Sequence, residues 1–257
     1  MYQGREIRVS GVYCDHMIWR VFFFSLVLTC LVPAMAGAQG GNVFSPEVEA
    51  GDRSWEWRAG GVLEAESQWG LSTRLHYQHA FDDRFRLRGV VQFASETGER
   101  TRFDFARAEL LWQYREETPS GYAAGFRFDA RLNEGNGPHR LGVNWAHQWN
   151  FESGWRGRAI LIADQEVGSG AGDGLRLSSR SQLTYRLDNG LRIGAEAFSR
   201  YGNLSDGLPG FDRQRHTVGP VASGAFNEQW RWYAGAQMAV SDAARDQYLR
   251  LRIYRRF

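Results

Sequence analysis

The chain has 257 residues, a formal net charge of +2 and a mean hydropathy of −0.47. Aromatic residues make up 14% of the chain, and every basic residue is an arginine. The near-neutral charge does not indicate a nucleic-acid partner. Beyond the N-terminal region, the sequence has no apolar run long enough for a membrane-spanning helix.

The N-terminal region carries the features of an export signal. The apolar run Val21–Ala36 follows Arg20, and Ala36-Gly37-Ala38 offers a small-x-small cleavage site. This pattern predicts a secretory signal peptide over residues 1–38 and a mature domain over residues 39–257, translated from either Met1 or Met17. Both cysteines, Cys14 and Cys30, fall in the signal region, so we expect neither a disulfide nor a cysteine-bearing metal site in the mature protein.

The mature part reads as about twelve alternating segments, from Ser54–Glu66 to the C-terminus. In each, apolar side chains occupy one parity and polar side chains the other, which is the period of a half-buried strand. In the fourth segment, Phe103 and Phe105 have the wrong parity, and a β-bulge would reconcile them. The tenth segment contains Gly219-Pro220, which predicts a bend or a bulge.

The connections alternate in length. Short turns such as Asp82-Asp83 and Asp188-Asn189-Gly190 alternate with longer loops such as Gln165–Gly174 and Gly202–Gln214. Segments of about ten residues match tilted membrane strands, and an even strand number returns both termini to one side. We therefore predict an all-β fold, a transmembrane antiparallel up-and-down β-barrel of about twelve strands with its termini in the periplasm.

The last segment, Gln247–Phe257, is the most informative. Leu249, Leu251 and Ile253 share one face with the terminal Phe257, whereas the other face is rich in arginine. An aromatic last residue resembles the closing strand of bacterial outer-membrane barrels, which implies the barrel-assembly machinery and outer-membrane lipids as partners. Arg255 departs from the pattern because it lies on the apolar face, where its head group can reach water near the membrane edge.

Arginines dominate the face that would line the lumen, and fewer acidic residues share it. Such a lumen favours anions, because low-dielectric walls focus the positive field and guanidinium forks bind carboxylates. In the alternative interpretation, the arginines pair with interior acids such as Glu109 and Glu196 and leave no open path. The candidate anion-binding residues are Arg86, Arg88, Arg107, Arg127, Arg156, Arg158, Arg176, Arg180, Arg192, Arg200, Arg231, Arg250 and Arg252, and the same face holds Arg58, Arg74 and Arg186.

The length, the strand count, the inward arginines and the aromatic C-terminus resemble the small monomeric outer-membrane porins of the oligogalacturonate-specific type. The segments around Gly219-Pro220 and Ser241–Ala244 also resemble uncharacterised proteobacterial outer-membrane barrels. The first resemblance implies an outer-membrane channel for passive diffusion of small anionic solutes, including acidic oligosaccharides. The sequence has no glycine-rich phosphate loop and no EF-hand pattern, so we expect no cofactor and no metal, and an outer-membrane location excludes a nucleic-acid partner.

Two other functions stay open. One is a non-conducting barrel with a structural or export-associated role. The other is an outer-membrane lipid hydrolase, which needs a serine, a histidine and an orienting polar partner on the lipid-facing side. The histidines have no His-x-Ser-Asn context, and His147 between Trp145 and Trp149 reads as an interfacial residue. The sequence therefore favours a protein that is not an enzyme.

Overall fold

The computed structural model describes residues 41–63, 69–244 and 247–257. The expected signal peptide, residues 1–38, lies outside the described residues. Twelve strands follow one another in the chain: β1 (Arg53–Leu63), β2 (Trp69–Ala80), β3 (Phe85–Glu96), β4 (Arg102–Arg115), β5 (Tyr122–Asn133), β6 (His139–Asn150), β7 (Trp155–Val167), β8 (Arg176–Arg186), β9 (Arg192–Asn203), β10 (Arg215–Ala225), β11 (Trp230–Ala239) and β12 (Gln247–Arg256). A short 3₁₀-helix, Phe211–Arg213, lies between β9 and β10.

Each strand pairs antiparallel with its neighbours in sequence, and β1 pairs with β12, so the sheet closes into a barrel. The predicted fold class is thereby confirmed. Closure leaves no open sheet edge, because every strand finds a partner on both sides. We call the end that carries the short turns, such as Asp188–Gly190, the turn end, and the opposite end the loop end.

The outer surface of the barrel is apolar. The alternating residues that the sequence placed outward are exposed, for example Tyr77, Leu110, Phe128, Leu161 and Leu183. Their partners in alternation, such as Glu109 and Gln182, are buried in the interior. Apolar residues outside and polar residues inside are the reverse of the pattern in a soluble protein. This arrangement fits a barrel whose outer surface faces hydrocarbon. No helix among the described residues is both long and apolar enough to cross a bilayer.

Arg255, the exception on the outer face of β12, lies among aromatic rings at the turn end. Its guanidinium carbon is 5.4 Å from the ring centroid of Trp230 and 5.0 Å from that of Phe257. Trp230 in turn makes an edge-to-face contact with Trp55, at a centroid distance of 5.4 Å. Cation–π contacts therefore stabilise the charge that breaks the apolar pattern.

The two irregular segments behave differently. In β4 the register shifts between Gln92↔Phe105 and Phe93↔Phe103, so the predicted bulge is confirmed. The bulge brings Phe103 opposite the outward Phe93, whereas Phe105 keeps the inward parity of Arg107 and Glu109 and its ring is fully buried. In β10 the register with β9 runs unbroken through Gly219 and Pro220, so there is no bulge. Instead, pairing with β11 is interrupted at these two residues, since proline lacks the N–H that the ladder needs.

Candidate functional site in the barrel lumen

The chain ahead of β1 does not stay outside the barrel. Residues 41–48, which we call the lumen segment, run up the lumen from the turn end, and Val43 and Phe44 are 1% and 4% exposed. Near the turn end, the Val48 N–H donates to Gln113 Oε1 at 2.6 Å. At the far end, Arg250 Nη1 donates to the Gly41 carbonyl oxygen at 2.6 Å. The lumen segment thus extends from the turn end into the loop-end half of the barrel.

An apolar patch on the inner wall receives the lumen segment. Val43 and Phe44 pack against Leu111 of β4, Ala146 of β6, and Ile160 and Ile162 of β7, with Val48 and Phe198 at the edge of the cluster. These wall residues have inward parity, where a water-filled lumen would favour polar side chains. The wall therefore provides a dry surface for the lumen segment.

Polar contacts fix the backbone of the lumen segment to other strands. Arg180 Nη1 donates to the Asn42 carbonyl oxygen at 3.2 Å, and Arg86 Nη1 donates to the Glu47 carbonyl oxygen at 3.4 Å. The Ser45 hydroxyl donates to Gln148 Oε1 at 3.0 Å. Just before β1, a hydrogen bond from Arg256 lowers the pKa of the Glu49 carboxyl below its ordinary value. Contacts on several sides hold the lumen segment inside the barrel.

The lumen contains two large cavities that have no lining residue in common. The loop-end chamber, of about 420 Å³, is lined by residues such as Arg107, Arg127, Arg176 and Arg200. The turn-end chamber, of about 610 Å³, has Asn42–Ser45 of the lumen segment in its wall. Among the described residues, the two chambers are separate cavities, and the lumen segment occupies part of the space inside the barrel.

Arginines of the loop-end chamber are largely paired with carboxylates. Arg127 Nε lies 2.8 Å from Asp129 Oδ1, and Arg176 Nη2 lies 2.7 Å from Asp164 Oδ1. Glu109 is enclosed by three cations: its carboxylate lies 2.5 Å from Arg107, 3.4 Å from Arg88 and 3.5 Å from Arg127. In this half of the lumen, the alternative interpretation of internal salt bridges describes the structure well.

The turn-end chamber is different. Among the described residues, no carboxylate oxygen lies within 4.0 Å of a guanidinium nitrogen of six arginines that line it. Its own acids are engaged elsewhere, because Asp52 pairs with Arg256 at 2.9 Å and Glu56 pairs with Arg58 and Arg252. We call these six the turn-end arginines: Arg86, Arg156, Arg158, Arg186, Arg192 and Arg231.

The structure places all the arginines predicted for the lumen along its cavities. They divide between the turn-end chamber, the loop-end chamber and a small cavity beside Gly41, which Arg250 and Arg252 line. Their role in binding anions stays a prediction. Arg250 is the most enclosed: it pairs with the buried Glu196 carboxylate and lies 4.6 Å from the Phe198 ring centroid.

The sequence analysis missed the lumen segment and its apolar binding surface. The signal was present, because Leu111, Ile160 and Ile162 are large apolar residues at inward parity, and Val43-Phe44 follows the expected cleavage site closely. Read together, an apolar segment next to the barrel and an apolar patch inside it indicate that one covers the other.

A serine–histidine–amide chain was also missed, because its members lie on different strands or loops. On the outer face near the loop end, His216 Nδ1 lies 2.8 Å from Ser199 Oγ, and His216 Nε2 lies 3.0 Å from Gln214 Oε1. The order of contacts matches that of serine hydrolases. However, His216 is 8% exposed and the Phe211 ring stacks on it at 4.4 Å. This packing covers the imidazole, which favours a structural role for the chain.

The described residues contain no group of three or more His, Cys, Asp or Glu side chains that could hold a metal ion. The lumen chemistry of this part of the chain is therefore that of guanidinium groups, amides and carboxylates.

The structure is a small closed barrel of twelve antiparallel strands, a fold similar to that of solved outer-membrane channels and porins. The sequence matches no protein-family model and no curated protein. Among solved structures, an outer membrane channel from Pseudomonas putida F1 is similar over 86% of this chain and 100% of its own, with 14% identity and a TM-score of 0.64.

Two porins give a similar result. The KdgM porin, solved in complex with disordered oligogalacturonate, has 13% identity and a TM-score of 0.58, over 79% of this chain and 99% of its own. The NanC porin has 9% identity and a TM-score of 0.57, over 79% of this chain and 100% of its own. At such identities the likeness shows the fold, and it confirms at that level the predicted resemblance to oligogalacturonate-type porins.

Proposed function

We propose that this protein is a bacterial outer-membrane channel for small anionic solutes, and that the lumen segment limits passage through it. The observation that carries the proposal is the set of turn-end arginines, which line a cavity of about 610 Å³ and have no carboxylate oxygen within 4.0 Å in the described part of the chain. Inside a low-dielectric barrel, an excess of positive charge attracts anions and repels cations.

The orientation follows from the loop lengths. In outer-membrane barrels the short turns face the periplasm and the long loops face outward. The turn-end chamber would then open to the periplasm and the loop-end chamber to the medium. The likeness in fold to porins supports this placement.

The lumen segment supports a gated channel because its attachment is not covalent. Its carbonyl groups accept hydrogen bonds from Arg86, Arg180 and Arg250. An anion adds a Coulomb attraction to the guanidinium that a neutral carbonyl acceptor lacks. Anions that enter the lumen would therefore compete for the groups that hold the lumen segment in place.

Planar-bilayer recording of the mature protein tests the channel. We expect reversal potentials that show anion preference in a KCl gradient around 0.1 M, and a weaker preference near 1 M. The reason is that the Debye length falls from about 10 Å to about 3 Å over this range. Cation selectivity would end the proposal.

A cross-link tests the lumen segment. The Ser45 and Gln148 side chains lie 3.0 Å apart, so cysteines at both positions are within reach of a short reversible thiol cross-linker. We expect the cross-linked Ser45→Cys/Gln148→Cys protein to be closed and reduction to restore conductance. The matched control is Ser45→Cys alone, which should not respond to the cross-linker.

The position of the lumen segment also favours a second candidate, a non-conducting barrel with a structural or export-associated role. The same experiment separates the two. A protein that stays silent before cross-linking, after reduction and after loss of the Phe44 ring would support the second candidate and contradict a channel.

A further inference from the structure

The turn-end chamber has the features of a binding site as well as those of a passage. We propose that it binds one compact polyvalent oxyanion, a solute with two or more phosphoryl or carboxylate groups. The inference rests on the proposed function only for its orientation toward the periplasm, since binding itself requires no conduction.

Two opposed arginines in the turn-end chamber have no counter-charge in the described part of the chain. Arg186 of β8 and Arg192 of β9 are directly opposite each other in the strand register. Like charges in directly opposite positions destabilise a sheet unless a counter-charge lies between them. By contrast, Arg131 and Arg140 oppose each other in the loop-end chamber and have acids nearby: Arg131 lies 3.4 Å from Asp104, and Arg140 lies 3.3 Å from Asp164. Among the described residues, Arg186 and Arg192 have no such acid, so a bound anion would supply the missing charge.

Hydrogen bonds to neutral groups hold several of the turn-end arginines in position. Arg156 Nε donates to Asn150 Oδ1 at 2.9 Å, and Arg158 Nε donates to Gln148 Oε1 at 2.6 Å. Arg192 Nη1 donates to the Gly154 carbonyl oxygen at 3.3 Å. Neutral acceptors thus position these side chains without forming ion pairs, although the nearby Glu47 carboxylate offsets part of the charge of Arg156 and Arg158. Each guanidinium has five N–H groups, so donors are left for an anion. A site with fixed donors loses less entropy on binding.

The volume of the turn-end chamber fits a small ligand. The chamber measures about 610 Å³, and Asn42–Ser45 close its inner end. This volume lies within the range of small-molecule pockets, about 300 to 1,000 Å³. A long chain molecule would need a continuous path past the lumen segment, whereas a compact anion fits below it. Guanidinium groups bind phosphate and carboxylate alike. The chamber therefore selects a ligand by its number of negative charges and its compact size.

Isothermal titration calorimetry on the full mature protein in detergent tests the proposal, with pyrophosphate and the tricarboxylate citrate as probes at constant ionic strength. We expect saturable 1:1 binding of at least one probe and much weaker binding of chloride. The probe that binds more tightly shows whether phosphoryl or carboxylate groups are preferred.

Variants locate the site. Arg192→Gln and Arg158→Gln should each weaken binding by about tenfold or more, the effect of losing one hydrogen bond between charged partners. Arg140→Gln, in the loop-end chamber, is the matched control and should leave the affinity within about twofold. Circular dichroism and heat-modifiable migration on gels confirm that each variant is folded.

The outcomes separate this proposal from the channel. The absence of saturable binding for both probes would overturn the site, even in a protein that conducts anions. An equal loss of affinity in Arg140→Gln would also overturn it, because the field of the whole lumen would then be responsible. Tight binding by a protein that conducts nothing would support the site and contradict the channel.

Discussion

The guanidinium carbon of Arg127 lies 4.2 Å from the ring centroid of Phe44, so the lumen segment and the barrel wall meet in a cation–π contact. Arg127 is itself held by Asp129 and Glu109 on the inner wall. The ring therefore rests on a fixed cation and beside the apolar patch of β4, β6 and β7. This contact helps to hold the lumen segment inside the barrel.

Loss of the Phe44 ring should open the lumen. Full burial of an aromatic ring and a partly buried cation–π contact together contribute about 2 kcal/mol or more, so Phe44→Ala should shift the closed state toward open about thirtyfold. Single-channel recording measures the change as open probability. Phe44→Leu keeps an apolar side chain and should have a smaller effect, and Phe226→Ala, at an exposed turn position, should have none. An open probability that is the same in Phe44→Ala and wild type would show that the ring does not hold the lumen segment.

The Glu196 carboxylate should be a main contributor to barrel stability. It is 2% exposed, pairs with Arg250 and accepts a 2.7 Å hydrogen bond from the Tyr233 hydroxyl. Glu196→Gln leaves a buried guanidinium without its counter-charge, and we expect a loss of about 3–5 kcal/mol in the free energy of unfolding. Urea unfolding in lipid vesicles provides the measurement.

The control for Glu196 is an exposed ion pair at the turn end. Arg84 lies 3.5 Å from Glu116, and both side chains are well exposed. Glu116→Gln should cost less than about 1 kcal/mol, because water screens the pair. Equal effects of the two substitutions would mean that the interior pair contributes no more than a surface pair.

Phe257 should matter for assembly rather than for the finished barrel. Its side chain is 61% exposed, although its backbone N–H donates to the Arg53 carbonyl oxygen at 2.9 Å. We expect deletion of Phe257 to lower the amount of folded barrel in the outer membrane of cells several-fold, since the terminal aromatic residue is the proposed contact for the barrel-assembly machinery. Refolding of the same variant in detergent should be nearly unchanged. Equal losses in cells and in detergent would point to a purely structural role.

Ser199 should not act as a nucleophile. The Phe211 ring covers His216, its hydrogen-bond partner, so we expect no labelling by a fluorophosphonate probe and no phospholipid turnover by the purified protein. The Phe211→Ala variant, which uncovers the imidazole, tests whether labelling or phospholipid turnover then appears. Labelling that is lost in Ser199→Ala would show instead that the chain is a hydrolase site.

The sequence by itself determined the barrel. Strict alternation fixes which side chains face out, because the period of a strand is two, and a slip of one residue would bury the arginines in hydrocarbon. The irregularity in β4 was also predicted: the parity of Phe103 required an extra residue, which the bulge supplies, whereas Phe105 stays inward. The inward positions of Arg127 and Arg250 follow from the same rule.

Only the tertiary structure decided how the lumen is filled. Alternation assigns a residue to a face, but it does not tell which residues of distant strands meet across the interior. The pairing of Glu196 on β9 with Arg250 on β12, and the packing of Phe44 against Ile160, depend on the closed barrel. Closure brings together residues that are far apart in the chain, and their charges and apolar contacts determine which arginines of the lumen are paired with carboxylates.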